Sequence, residues 1–176
     1  MAPRRSKQTA PLITVLGFGN VLARDEGVGP KVIEQLAKEG VASSVRLVDL
    51  GSGGMSLLDY FEGSDLLILV DCALMDMQPG SIRVFEPSEV ESRRQGEKDF
   101  SLHSGDLLAL IELGRRLYSV PPIRIVGVQP AVVESGLGLS EALQQKIPQI
   151  VKAVRQEIDR ASAQRSSRAE RDGRKS

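Results

Sequence analysis

Apolar and polar positions fall along the chain in blocks of two kinds. Unbroken apolar runs of four to eight residues predict buried strands, and stretches with a three-to-four-residue apolar repeat predict helices. "LITVLG" is the first run of the first kind, and "GPKVIEQLAKEG" is the first helical stretch, ending at Gly40. "SVRLVDL" predicts a second strand, and "GMSLLDYFEGS" a short helix. "DLLILVD" is the most purely apolar run, which predicts a central strand ending at Asp71. "SIRVFEP" is a fourth, weaker strand, and "IRIVGVQP" a fifth. Between them "HSGDLLALIELGRRLYSV" predicts a helix with Leu107, Leu108, Ile111 and Leu117 on one face. The closing helix, "LSEALQQKIPQIVKAVRQEIDRA", takes Ser140 as its N-cap and carries Pro148 inside it, where proline predicts a kink.

Strands alternating with helices predict an α/β domain of three layers, α/β/α, on a mostly parallel sheet. One connection departs from the pattern. Between Asp71 and Ile82 lies only "CALMDMQPGS", with no helical repeat. A parallel crossover needs a dozen or more residues, so the fourth strand is expected to run antiparallel. Residues 1–10 and 160–176 are polar, Arg- and Ser-rich at the C-terminal end, and aperiodic; both read as disordered tails around a single domain of residues 11–159.

Composition narrows the function classes. The 176 residues carry 23 Lys and Arg against 23 Asp and Glu, for a formal net charge of zero. A nucleic-acid binder relies on an excess of cations to neutralise phosphates, so that class is disfavoured. No apolar run approaches the ~18 residues of a membrane span, and no apolar segment follows the basic start to make a secretion signal. A single cysteine, Cys72, excludes an internal disulfide, and a cytoplasmic protein is expected. There is one histidine, His103, so a three-His metal site and an HExxH helix are both excluded.

The predicted topology gathers polar residues at one edge. With the carboxyl ends of the parallel strands at the top, the first strand delivers the loop holding Asp25 and Glu26, the second delivers Asp49 and "GSGG", the third Asp71, and the fifth Gln129. The helix before the fifth strand must run downward, so His103 in its first turn also lies at the top. In open α/β sheets this edge is where ligands bind. One imidazole and two carboxylates make a donor set for Zn, Ni or Fe.

Other readings of the same residues are less demanding. "GFGNVL" lacks the third glycine of the dinucleotide fingerprint, and the acids Asp25 and Glu26 would face a pyrophosphate with like charge. Asp49 alone imitates the ribose-binding acid of such folds. Cys72 is read as a small buried residue rather than a nucleophile. Asp25 is either an acid that supports Glu26 or an ordinary loop acid.

"GFGNVLARDEGVG" resembles the opening motif of the hydrogenase maturation endopeptidases. Further matches follow in order: "VDLGSGGMSLLDYFEGSDLLILVDC", "SLHSGDLL" and "VGVQPAVVESGLGLS", over roughly residues 12–155. The resemblance implies a five-stranded mixed sheet of order 2-1-3-5-4, with strand 4 antiparallel. It implies a catalytic and metal site of Glu26, Asp71 and His103 and a substrate-binding segment around Asp49 and Gly51; Gln129, at the same edge, is expected to bind substrate as well. It implies an endopeptidase that removes the C-terminal extension of a nickel-loaded nickel-iron hydrogenase large-subunit precursor. The nickel would be supplied by the substrate, and zinc or cadmium could occupy the same site. The precursor would be the partner of a monomeric enzyme that binds neither nucleic acid nor membrane. The competing expectations are a non-catalytic nucleotide-binding or adaptor module, and a related maturation peptidase with another protein substrate.

Overall fold

The structure is a computed structural model and describes residues 12–89, 101–102 and 107–173. Its elements are β1 (Ile13–Phe18), α1 (Val28–Glu39), β2 (Val45–Gly51), β3 (Leu66–Leu74), β4 (Ile82–Phe85), β5 (Ser101–Leu102), α2 (Leu107–Leu117), β6 (Ile123–Val128), α3 (Glu141–Gln144) and α4 (Ile147–Gly173). Two 3-10 turns, Arg24–Gly27 and Gly54–Tyr60, follow β1 and β2.

Among the described residues the main sheet runs β2-β1-β3-β6-β4. β1 is parallel to β2 and β3, β3 is parallel to β6, and β4 is antiparallel to β6. Since β6 is the fifth strand of the sequence analysis, the expected order 2-1-3-5-4 with an antiparallel fourth strand is the one observed. The short β3–β4 connection leaves β4 no room to cross over, so it returns along the outer side of β6. The central strand differs from expectation in its length. β3 does not stop at Asp71 but continues to Leu74, because β5 pairs antiparallel with its last residues, Ala73 with Leu102 and Leu74 with Ser101.

Strand alternation divides the core in two. Ile68, Val70 and Cys72 of β3 join Val28, Val32 and Leu36 of α1 and Ile150 and Val154 of α4 on one face. Leu67, Leu69 and Ala73 join Leu57, Phe61 and α2 on the other. Each fully buried Leu or Ile stabilises the fold by ~1.5–3 kcal/mol. On α2 the buried residues are Leu107, Leu108, Leu110, Ile111 and Gly114, while Leu117 is exposed. The expectation for Leu117 is corrected: at the end of α2 the ring of Phe61 packs on Gly114, and Leu117 faces away.

The closing helix is two helices. Ser140 caps α3 as expected, its hydroxyl accepting from the Leu143 amide at 3.3 Å. The chain then breaks at Gln145 and Lys146, and Pro148 sits in the first turn of α4, where its missing N–H costs no hydrogen bond. A tail from residue 160 is also corrected, since α4 continues to Gly173. Near the old boundary Arg160 pairs with the buried Glu157 at 2.5 Å, and Ala161 packs against the core. Residues 1–10 lie outside the described residues.

Candidate functional site

The opening motif is a site of close backbone packing. A Cβ on Gly29, in the first turn of α1, would lie 2.1 Å from the Phe18 carbonyl oxygen and 2.6 Å from that of Val70. Glycine here lets the helix start directly against the ends of β1 and β3. Gly19 adopts φ +136°, and a Cβ there would lie 1.7 Å from the Glu26 carbonyl oxygen. The 3-10 turn that holds Asp25 and Glu26 is thereby folded back over β1 and packs on β3. The glycines of the motif serve this packing, and the space before them is filled by the protein's own backbone.

Asp71 lies within β3, three residues before its end, and the turn that holds Glu26 packs on the same strand. Val70, the residue before Asp71, touches the start of α1 through Gly29, three residues after Glu26. Asp71 is fully buried and stands opposite Gly127 of β6. Alternation along β3 puts it on the same face as Leu69 and Ala73, the face that α2 covers. The adjacent Cys72 registers the convergence electrostatically. Its thiol is pushed well up by burial first, and then by the negative charges of Asp71, Glu26 and Asp25.

His103 lies outside the described residues. The chain is described on both sides of it. Leu102 pairs with Ala73 at the end of β3, and α2 begins at Leu107. Among the described residues no three His, Cys, Asp or Glu side chains form a metal-holding group.

Asp49 and Gly51 join the opening loop through a relay of backbone groups. Asp49 Oδ1 accepts from the Gly51 amide at 2.8 Å, and the Gly51 carbonyl accepts from the Gly19 amide at 2.9 Å. Asp49 is exposed, and with Arg24, Lys31 and Leu137 it lines an open cleft of about 400 Å³. Gln129 is engaged elsewhere. Its Oε1 accepts from the Met75 amide at 2.7 Å and the Met77 amide at 3.4 Å, so it fastens the β3–β4 connection to the end of β6.

Asp25 is the residue whose surroundings the sequence left undecided. It is fully buried. Its oxygens accept from the amides of Ala131 at 2.8 Å, Val132 at 2.9 Å and Ser140 at 2.6 Å, and from the Ser140 hydroxyl at 2.8 Å. Sequence reasoning identified Ser140 as a helix cap but missed this second role. The only signal in the chain is a pair of adjacent acids, of which the fold buries Asp25 fully and Glu26 in part.

A family model described as hydrogenase maturation protease matches residues 30–157, a span that begins beyond Glu26 and includes Asp49, Asp71 and Gln129. Among curated relatives, the hydrogenase expression/formation protein HupD of Thiocapsa roseopersicina is 36% identical over 126 residues, covering 70% of this chain and 57% of that protein. HupM of Azotobacter chroococcum is 34% identical over 128 residues, covering 72% of this chain and 61% of that protein. The chain thus matches less than two thirds of the length of either relative. Among solved structures, the hydrogenase maturating endopeptidase HybD from E. coli superposes with a TM-score of 0.73 at 27% identity, covering 85% of this chain and 93% of that one. The maturation protease HybD from Thermococcus kodakarensis, at 21% identity and a TM-score of 0.67, adds a likeness of fold. The family model covers most of the chain and the sheet order is that of the similar solved structure, and the chain belongs to the hydrogenase maturation protease family.

Proposed function

We propose that this protein is an endopeptidase that removes the C-terminal extension of a nickel-loaded nickel-iron hydrogenase large-subunit precursor. Glu26, Asp71 and His103 are the residues that would meet the metal. The observation that carries this reading is the meeting of two separate segments at the end of β3. The turn with Glu26 packs on that strand, and Leu102, the neighbour of His103, pairs two residues beyond Asp71.

Two carboxylate oxygens and one imidazole nitrogen suit nickel or another borderline divalent ion such as zinc. Nickel travels with the precursor and is part of the substrate, so the enzyme by itself would hold metal weakly. Seated at the site, it would supply Lewis acidity toward the scissile carbonyl or a water. Glu26 and Asp71 would complete its coordination, which would make cleavage conditional on nickel loading. Asp49 and Gly51, tied to the same loop by hydrogen bonds, would contact the peptide. The same reading takes the protein as a cytoplasmic monomer. No helix among the described residues is long and apolar enough to cross a membrane.

The test uses nickel-loaded and nickel-free precursor with the wild type and with Glu26→Gln, Asp71→Asn and His103→Ala. Each substitution is expected to slow cleavage by at least ~100-fold, the scale of losing a metal or catalytic contact. Cleavage by the triple variant would remove the site assignment, and equal cleavage of nickel-free precursor would remove the recognition step.

A further inference from the structure

We propose that Asp25 is a positioning residue that locks the turn carrying Glu26 to the segment of residues 131–140, so that the two loops behave as one body. The proposal rests on the role given to Glu26 above.

All four donors to the Asp25 carboxylate come from that one segment, more than a hundred residues away in the chain. Backbone bonds run alongside. The Asp25 amide donates to the Val132 carbonyl at 3.2 Å, the Arg24 amide to the Gly136 carbonyl at 3.0 Å, and the Gly136 amide to the Leu22 carbonyl at 2.8 Å. Hydrogen bonds to an ionised carboxylate are about twice as strong as neutral ones, and a buried carboxylate without them is costly. The carboxylate therefore stays where its donors are.

The far side of the latch is itself anchored. Ser140 donates its hydroxyl to Asp25 and accepts from the Leu143 amide, which joins the latch to α3 and, through the buried Leu143, to the core. Between Pro130 and Ser140 the segment has no helix or strand of its own, apart from one bridge between Ala23 and Gly136. Its order depends on Asp25, and the position of Glu26, one residue on, depends on the segment in return. A misplacement of about 1 Å at a reacting group is enough to cost ~100-fold in rate.

Asp25→Asn keeps the shape but replaces one acceptor oxygen by an NH₂ group that faces N–H donors. Amide hydrogen exchange is expected to accelerate at least ~10-fold in residues 20–27 and 131–140 together, with β1, β3 and β6 unchanged. On nickel-loaded precursor kcat is expected to fall ~100-fold, with KM within ~3-fold of wild type. Ser140→Ala removes one of the four bonds and is expected to loosen the same two segments to a smaller degree. It decides the matter should Asp25→Asn fail to fold. Exchange that rises in residues 131–140 alone, or a kcat within twofold of wild type, would overturn the latch. Exchange is read without cleavage. A wild-type protein that leaves the precursor intact would therefore refute the proposed function, while the exchange pattern still decides the latch.

Discussion

Cys72 is fully buried beside Asp71, and its thiol is held well above the ordinary cysteine range by burial, reinforced by the charges of Asp71, Glu26 and Asp25. Thiolate is the reactive form, so the native protein is expected to resist a thiol reagent such as DTNB at about pH 8 and to react fully in concentrated guanidinium. Rapid labelling of the folded protein would contradict this. The linkage has a definite sign. The contribution is fully present below the unfolded thiol's pKa near 9.0. Above it the unfolded chain releases a proton that the native thiol keeps, so stability declines as pH rises. The neighbouring pair Asp25 and Glu26 shows what a residue-level reading misses. Two adjacent acids look equivalent in "RDEG", yet Asp25 is fully buried and accepts four hydrogen bonds from a distant segment, while Glu26 is only partly buried.

Gly114 explains a feature of α2 that helix propensity opposes. Glycine within a helix is about 1 kcal/mol worse than alanine. Here a Cβ would lie 1.9 Å from Cε2 of Phe61, itself buried and in contact with Tyr118 at 6.4 Å between ring centroids. Overpacking of this kind costs ~1–3 kcal/mol, which outweighs the propensity gain. Gly114→Ala is therefore expected to lower stability by up to ~2 kcal/mol, the overpacking cost less the propensity gain, read as a lower Tm; an unchanged or raised Tm would show that Phe61 moves aside freely. Apolar periodicity indicated α2 itself but misassigned Leu117, because the partner that decides which residues face inward, Phe61, belongs to another element. The antiparallel β4 was legible from a count of connecting residues, since chain length limits how far a connection can travel. The extension of β3 past Asp71 was not, because it depends on pairing with β5.

The precursor proposed as substrate needs more contact area than three side chains provide, and the molecule presents apolar surface on the loops of the proposed site. Val21, Leu22 and Leu137 are 52%, 62% and 74% exposed, and the bond from the Gly136 amide to the Leu22 carbonyl keeps them together. Clustered exposed apolar residues mark interaction surfaces. Leu22→Asp combined with Leu137→Asp is expected to raise KM for the precursor at least ~10-fold, with kcat and Tm near wild type. A KM unchanged within twofold would place docking elsewhere.

The strand order was implied only by the resemblance to the family; by itself the sequence determined the α/β class, the antiparallel fourth strand and which loops leave the carboxyl ends of the parallel strands. These follow from periodicity, connection length and strand polarity, which are local properties of a chain. Only the tertiary structure decided that Asp25 is buried and latched to residues 131–140, that Gln129 secures the β3–β4 connection, and that Gly19 and Gly29 let backbone meet backbone. Those arrangements depend on hydrogen bonds and close contacts between segments far apart in the chain. A carboxylate, an amide or a glycine looks the same in sequence whichever partner it will meet.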